Sequence, residues 1–149
     1  MQIRDVMNAE PATILASATM AEAATVFSDT QISDLVAIDH AGELVGVLAE
    51  GDLLRAVFPK FDQIIQVGGS IVEAFRMFLD NGRDLADRPV GPLIIRDPIT
   101  VGPGDQLLKV ATVMVSEQIR RVPVVEGSRL VGSVSRADVC RGALLVTSA

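Results

Sequence analysis

Between Ile119 and Asp138 the chain reads IRRVPVVEGSRLVGSVSRAD, and four of these side chains have the chemistry of a sugar-phosphate site. Arg120 and Arg121 each carry a planar fork of donors suited to phosphate oxygens. Asp138 offers a carboxylate able to accept from both hydroxyls of a ribose, and Ser135 places a hydroxyl three residues before it. From Arg120 to Arg141 five arginines stand against Glu126 and Asp138, a local positive excess in a chain of net charge −6. Structural readings stand beside these. Ser-x-x-Asp is also a helix capping box, and arginines before an apolar strand also make a solvated strand edge.

The elements that must position these residues are written twice. Glu10–Asp39 aligns with Asp97–Glu126, so Pro11 falls on Pro98, Thr13 on Thr100, and Ala24-Thr25-Val26 on Ala111-Thr112-Val113. After one gap in a turn, Leu44-Val45-Gly46 matches Leu130-Val131-Gly132, Asp52 matches Asp138 and Arg55 matches Arg141. Self-similarity in one register marks a duplicated structural unit.

Each copy reads as β-α-β-β-α, an α/β (α+β) unit with a short first strand. The first helix starts at Thr19, a capping box with Glu22, and Met20, Ala23, Ala24 and Phe27 share its apolar face. Its counterpart buries Leu107, Val110, Ala111 and Met114. Strands follow over Leu35–Ile38 and Leu44–Leu48, and over Val122–Val125 and Leu130–Val134, with turns at "DHAGE" and "EGSR". A second helix begins near Glu50 or Arg136. The copies span 1–58 and 90–149. Between them, 59–89 carries an unmatched helix capped by Ser70 and Glu73, with an apolar stripe of Ile71, Phe75, Phe78 and Leu79 and a stop signal at Asn81-Gly82. One copy is too small to bury both faces of its layers. The expectation is therefore two copies sharing a core, sheet against sheet, as a pseudo-two-fold pair.

Composition narrows the function. The chain is 49% hydrophobic with 3% aromatic residues, all Phe, so its core is aliphatic and it lacks an aromatic platform for single-stranded nucleic acid. A net charge of −6 argues against binding nucleic acid or an anionic membrane. No apolar run reaches the roughly 20 residues of a transmembrane helix, and the start MQIRDVMNAEP is not a signal peptide. A single cysteine, Cys140, fits a cytoplasmic protein without disulfides and reads as core. His40, the single histidine, falls in a turn, and neither a metal cluster nor a catalytic triad can be assembled. No catalytic residue is assigned.

The ordered set "RDVM", P-x-T-[IV], I-R-R-V-P-V-V and L-V-G-x-[VL]-x-x-x-D-[LV], present largely in duplicate, resembles the CBS (cystathionine-β-synthase) domain, and the pair resembles a Bateman module. The resemblance covers the chain apart from the Val57–Arg88 insert. It implies a non-enzymatic regulatory module that binds an adenine nucleotide (AMP, ADP or ATP, less readily NAD or S-adenosylmethionine) between the copies, forms a homodimer and acts on an effector protein in a separate chain. The alternative is a ligand-free dimerisation scaffold of the same fold.

The resemblance also implies that each cleft draws on both copies. The stronger cleft takes Asp138, Ser135, Ser133, Arg120 and Arg121 from the second copy, with Thr13, Ile32 and Ser33 from the first. The weaker takes Asp52, with Thr100 and Ile119 opposite. Ala49 stands there in place of Ser135, and Ser33 and Asp34 in place of the two arginines, so the clefts are expected to be unequal. Keeping Asp52 without a capping hydroxyl favours a ligand role for the acid in this pattern.

Overall fold

The computed structural model describes residues 1–145; the last four residues of the expected second copy lie outside the described residues. The first copy forms β1 (Thr13–Leu15), α1 (Met20–Thr30), β2 (Asp34–Ile38), β3 (Leu44–Ala49) and α2 (Glu50–Val57). The insert forms α3 (Phe61–Gln66) and α4 (Ile71–Leu85). Then come β4 (Ile95–Arg96), α5 (Leu107–Ser116), β5 (Arg121–Glu126), β6 (Arg129–Ser135) and α6 (Arg136–Leu144). Among the described residues no helix is long and apolar enough to cross a membrane.

Both copies fold to the same plan. In the first, β1 runs parallel to β2, and β2 runs antiparallel to β3 with Leu35 opposite Leu48. In the second, β5 and β6 pair antiparallel with Val122 opposite Val134, but the expected first strand shrinks to one parallel bridge, Val101 to Val124. The two hairpin turns are tied back to back: Leu44 N donates to Ser128 O at 2.9 Å, and Ser128 Oγ donates to Glu43 Oε2 at 2.8 Å.

The leaders of the two copies are exchanged. The segment before the first copy lies on the second: Ile3 N donates to Asp105 O, Leu107 N to Met1 O, and Asn8 and Ser133 bond each other through both backbone groups. The segment before the second copy lies on the first: Met20 N donates to Arg88 O, Val90 N to Ala18 O, and β4 pairs with β3 at Gly46 and Val47. The strands these leaders cross carry glycine at the crossing. A methyl group on Gly132 would lie 2.8 Å from Asn8 O, and one on Gly46 would overlap Ile95 O. The matched "L-V-G" of the two copies is thus a requirement for close backbone approach.

One shared core was expected, and two separate clusters of buried side chains are found. The first joins Ile14, Ala23, Phe27, Leu35 and Leu48 to Val90 and Ile94 from the opposite leader. The second joins Val110, Met114, Val122, Val124 and Val134 to Ile3. Ile3 and Val90 are fully buried, and burying such a side chain is worth about 1.5–3 kcal/mol. The copies depend on each other through their leaders.

Other details also differ from the sequence reading. Helix α4 continues past Asn81-Gly82, because Asn81 Nδ2 donates to Val57 O at 3.1 Å and Leu85 packs on the first core. Along its stripe Ile71, Phe75 and Leu79 are exposed, and Phe78 packs edge-on against Phe58. Ala24 lies on the surface of α1. Cys140, expected in the core, is exposed on α6. Asp105 fixes the turn that receives the first leader. Its Oδ2 accepts from Gly102 N at 2.8 Å and from Lys109 Nζ at 3.1 Å, and these bonds hold its pKa below the usual carboxylate value.

A fragment of residues 1–60 contains the first copy but not Val90 or Ile94. It is expected to lack a cooperative thermal transition, as followed by circular dichroism; a sharp transition would show that the exchanged leader is dispensable.

Candidate functional site

A polar cleft of about 450 Å³ opens where the N-terminus of α6 meets the first leader. Strand β6 ends at Ser135, whose hydroxyl caps α6 by accepting from Asp138 N at 3.2 Å, while Asp138 Oδ2 accepts from Ser135 N at 2.9 Å. The capping-box reading is therefore present in the structure. It does not exhaust the acid: a carboxylate has about four acceptor positions, and Oδ1 has only a 3.5 Å contact with Arg141 Nη2. The Asp138 side chain is 18% exposed, half-sheltered at the cleft wall.

Cations converge on the same space. Arg121, at the start of β5, is steadied by donating from Nη1 to Ser133 Oγ at 3.2 Å, and Ser133 is fully buried beneath it. Arg141, one turn beyond Asp138, donates from Nη2 to Val6 O at 2.9 Å and so clamps the exchanged leader to α6. Met7, Asn8 and Ala9 of that leader, with Ile32 from the loop after α1, complete the wall. The cleft thus combines a carboxylate, two guanidinium groups and a partly apolar wall, drawn from both copies. It can accept from hydroxyls, donate to an anion and shelter a flat ring.

The residues expected here separate into two groups. Asp138, Ser135, Arg121 and Ile32 line the cleft, and Ser133 supports Arg121 from below. Thr13 does not line it but lies in β1 opposite Val36. Ser33 does not line it either: its carbonyl accepts from Glu50 N, and its hydroxyl bonds Asp34. Arg120 turns away, because successive side chains of an extended chain point to opposite sides. It lies 3.6 Å from Asp34 Oδ2 in a second cleft. Met7, Asn8, Ala9 and Arg141 went unassigned in the sequence. Arg141 carried a signal, since it follows Asp138 by one helical turn and matches Arg55. The leader did not, because its exchange is non-local.

The second cleft, about 370 Å³, is lined by Asp34, Val47, Ile95, Asp97, Ile119 and Arg120, and Arg121 reaches both clefts. Ile119 lies where expected. Thr100 does not, and lines a shallow depression with Val45 and Ser128. Asp52 does not line it either; its carboxylate pairs with Arg55. Ala49 starts α2 with no side-chain cap, in the same extended conformation as Ser135. His40 is exposed, with Nε2 3.4 Å from Ser17 Oγ.

A profile of the CBS domain matches residues 3–59 and 90–144, both copies of the repeat. The chain belongs to the CBS-domain family. Its two repeats form a CBS pair. It is 26% identical to protein MJ1225 of Methanocaldococcus jannaschii over 91% of its own length and 40% of that protein's, so it spans two fifths of this relative. The CBS-pair protein CBSX2 of Arabidopsis thaliana superposes with a TM-score of 0.78 at 24% identity, over 97% of this chain and 94% of that one. CBSX2 has also been solved in complex with AMP. The CBS domain pair of protein MJ0100, solved with 5′-methylthioadenosine and S-adenosyl-L-methionine, superposes with a TM-score of 0.67 at 22% identity over 96% of this chain and 95% of that one. These structural likenesses establish the CBS-pair fold.

The two ends of the pair also differ in capping. Ala49→Ser, at a position already in the capping conformation, is expected to stabilise the fold by about 1 kcal/mol in urea unfolding, and Ser135→Ala to destabilise it by about as much. No gain from Ala49→Ser would mean that the α2 terminus lacks the geometry seen at α6.

Proposed function

We propose that this CBS pair is a regulatory module that binds an adenine nucleotide in the Asp138 cleft and, as a homodimer, transmits that occupancy to a partner protein. The observation that carries the reading is the convergence of Asp138, Arg121 and Arg141 with the exchanged leader in one cleft. The AMP complex of CBSX2 and the adenosine-derivative complex of the MJ0100 pair give the ligand class precedent on this fold. In this reading Oδ1 of Asp138 accepts from the ribose hydroxyls, the phosphate lies against Arg121 and Arg141, and the base rests on Ile32 and Met7. AMP, ADP and ATP fit this division best, and NAD and S-adenosylmethionine are the further candidates.

The cleft suggests how occupancy becomes a signal. Its walls belong to different copies, and Arg141 already ties the leader to α6. A ligand bridging Met7–Ala9 and Asp138 tightens the join on which the second core depends. The readout surface is apolar and helical: Ile71 is 88% exposed, Val115 83% and Leu144 79%. Such faces favour a second copy of the chain, in keeping with closed two-fold assembly.

Titration calorimetry with AMP tests the binding. A hydrogen bond to a charged group is worth roughly 1.5–3 kcal/mol, so Asp138→Ala should weaken binding ten- to a hundredfold while Asp52→Ala leaves it nearly unchanged. Melting each variant beforehand separates loss of the cap from loss of the ligand contact. Equal effects from the two, or binding indifferent to Asp138, would reject the asymmetric Asp138 site, and absence of binding would favour the ligand-free scaffold. In sedimentation at tens of micromolar the chain should run as a dimer; a species of 15.8 kDa alone would exclude the homodimer.

A further inference from the structure

The two clefts differ most at the first residue of a strand. Repeat alignment sets Asp34, which opens β2, on Arg121, which opens β5, and Val47 of β3 on Ser133 of β6. The first cleft therefore has a guanidinium braced by a buried hydroxyl. The second has a carboxylate at the equivalent place, beside an isopropyl group that offers it no hydrogen bond. Asp34, 15% exposed, accepts from Ser33 Oγ at 3.1 Å and lies 3.6 Å from Arg120 Nε. The other ion pairs among the described residues join side chains three or four positions apart. Arg120 to Asp34 is the pair that links one repeat to the other.

We propose that Asp34 is the specificity-determining residue that closes the second cleft to phosphate-bearing ligands: it sets a negative charge where the first cleft sets a positive one, and it engages Arg120. In the second cleft Arg120 is engaged by Asp34, Asp97 adds a second carboxylate, and Arg121 is shared with the first cleft. In the first, Arg121 and Arg141 face Asp138 alone, leaving one positive charge. A phosphate entering the second cleft meets an anion within a few ångströms, where like charges repel strongly. Removing that one charge takes an anion out of the second cleft and releases Arg120 to donate to phosphate. As it stands, the cleft suits a ligand whose equivalent end is uncharged or cationic. The inference rests on the Asp138 cleft being the nucleotide site, and it adds that a single residue limits the chain to one phosphate ligand.

The test counts AMP sites by titration calorimetry on the intact chain. Wild type should take one equivalent, Asp34→Asn a second and weaker one, and Asp34→Glu, which keeps the charge, only one. Asp34→Asn combined with Arg120→Ala should return to one. Adenosine has no phosphate, so its stoichiometry should be the same in wild type and Asp34→Asn. If Asp34→Asn melts early, Asp34→Ser serves as the neutral variant. Two AMP sites in wild type, or no added site in either neutral variant, would overturn the proposal. Absence of AMP binding by wild type would instead defeat the Asp138 reading, and the neutral variant would still be required to gain one site. Failure to gain it would overturn this inference too.

Discussion

Each copy is completed by the leader of the other. Ile3 completes the core of the second copy, and Val90 and Ile94 complete the core of the first. Neither hairpin with its two helices encloses its own apolar surface, because β3 and β6 each present an open edge until the opposite leader pairs with it. Glycine at 46 and 132 admits that pairing, since any side chain would meet the backbone crossing above it. The same crossing brings Met7–Ala9 to the mouth of α6. Fold completion and cleft formation are thus one event, and the cleft is sensitive to how firmly the leader is held.

From that symmetric frame a few side chains make the halves chemically different. The α6 end has the hydroxyl cap, an acid with acceptor capacity left, and an arginine braced by buried Ser133. The α2 end has Ala49, an acid turned to Arg55, and Asp34 in the arginine's place. Duplication supplies a cleft in each half, and substitution at the ends of two strands changes what each can hold. The insert adds a different asymmetry, since α4 packs on α2 of the first copy and carries its own exposed apolar stripe.

Much of this was legible in the sequence, and the gaps have physical causes. The repeat, the strand and helix order and the caps at Thr19, Ser70 and Ser135 are local signals, and the structure carries them. Asp138, Ser135, Arg121 and Ile32 come together as spacing and resemblance implied. Arg120 was grouped with Arg121, although the two-residue period of an extended chain sends neighbours to opposite sides. The glycine at Gly82 did not end α4, because tertiary packing of Leu85 outweighed a local preference. Leader exchange joins residues from about 50 to about 125 positions apart, and no local pattern announces it.

In the proposed function one cleft, built by the exchanged leader and read by Asp138, holds the nucleotide. A crystal structure of the chain grown with AMP tests it most directly. Density is expected in the Asp138 cleft, with ribose on the carboxylate, phosphate against Arg121 and Arg141, and none in the cleft lined by Asp34. Density in the Asp34 cleft instead, or AMP bound without contact to Asp138, would contradict it.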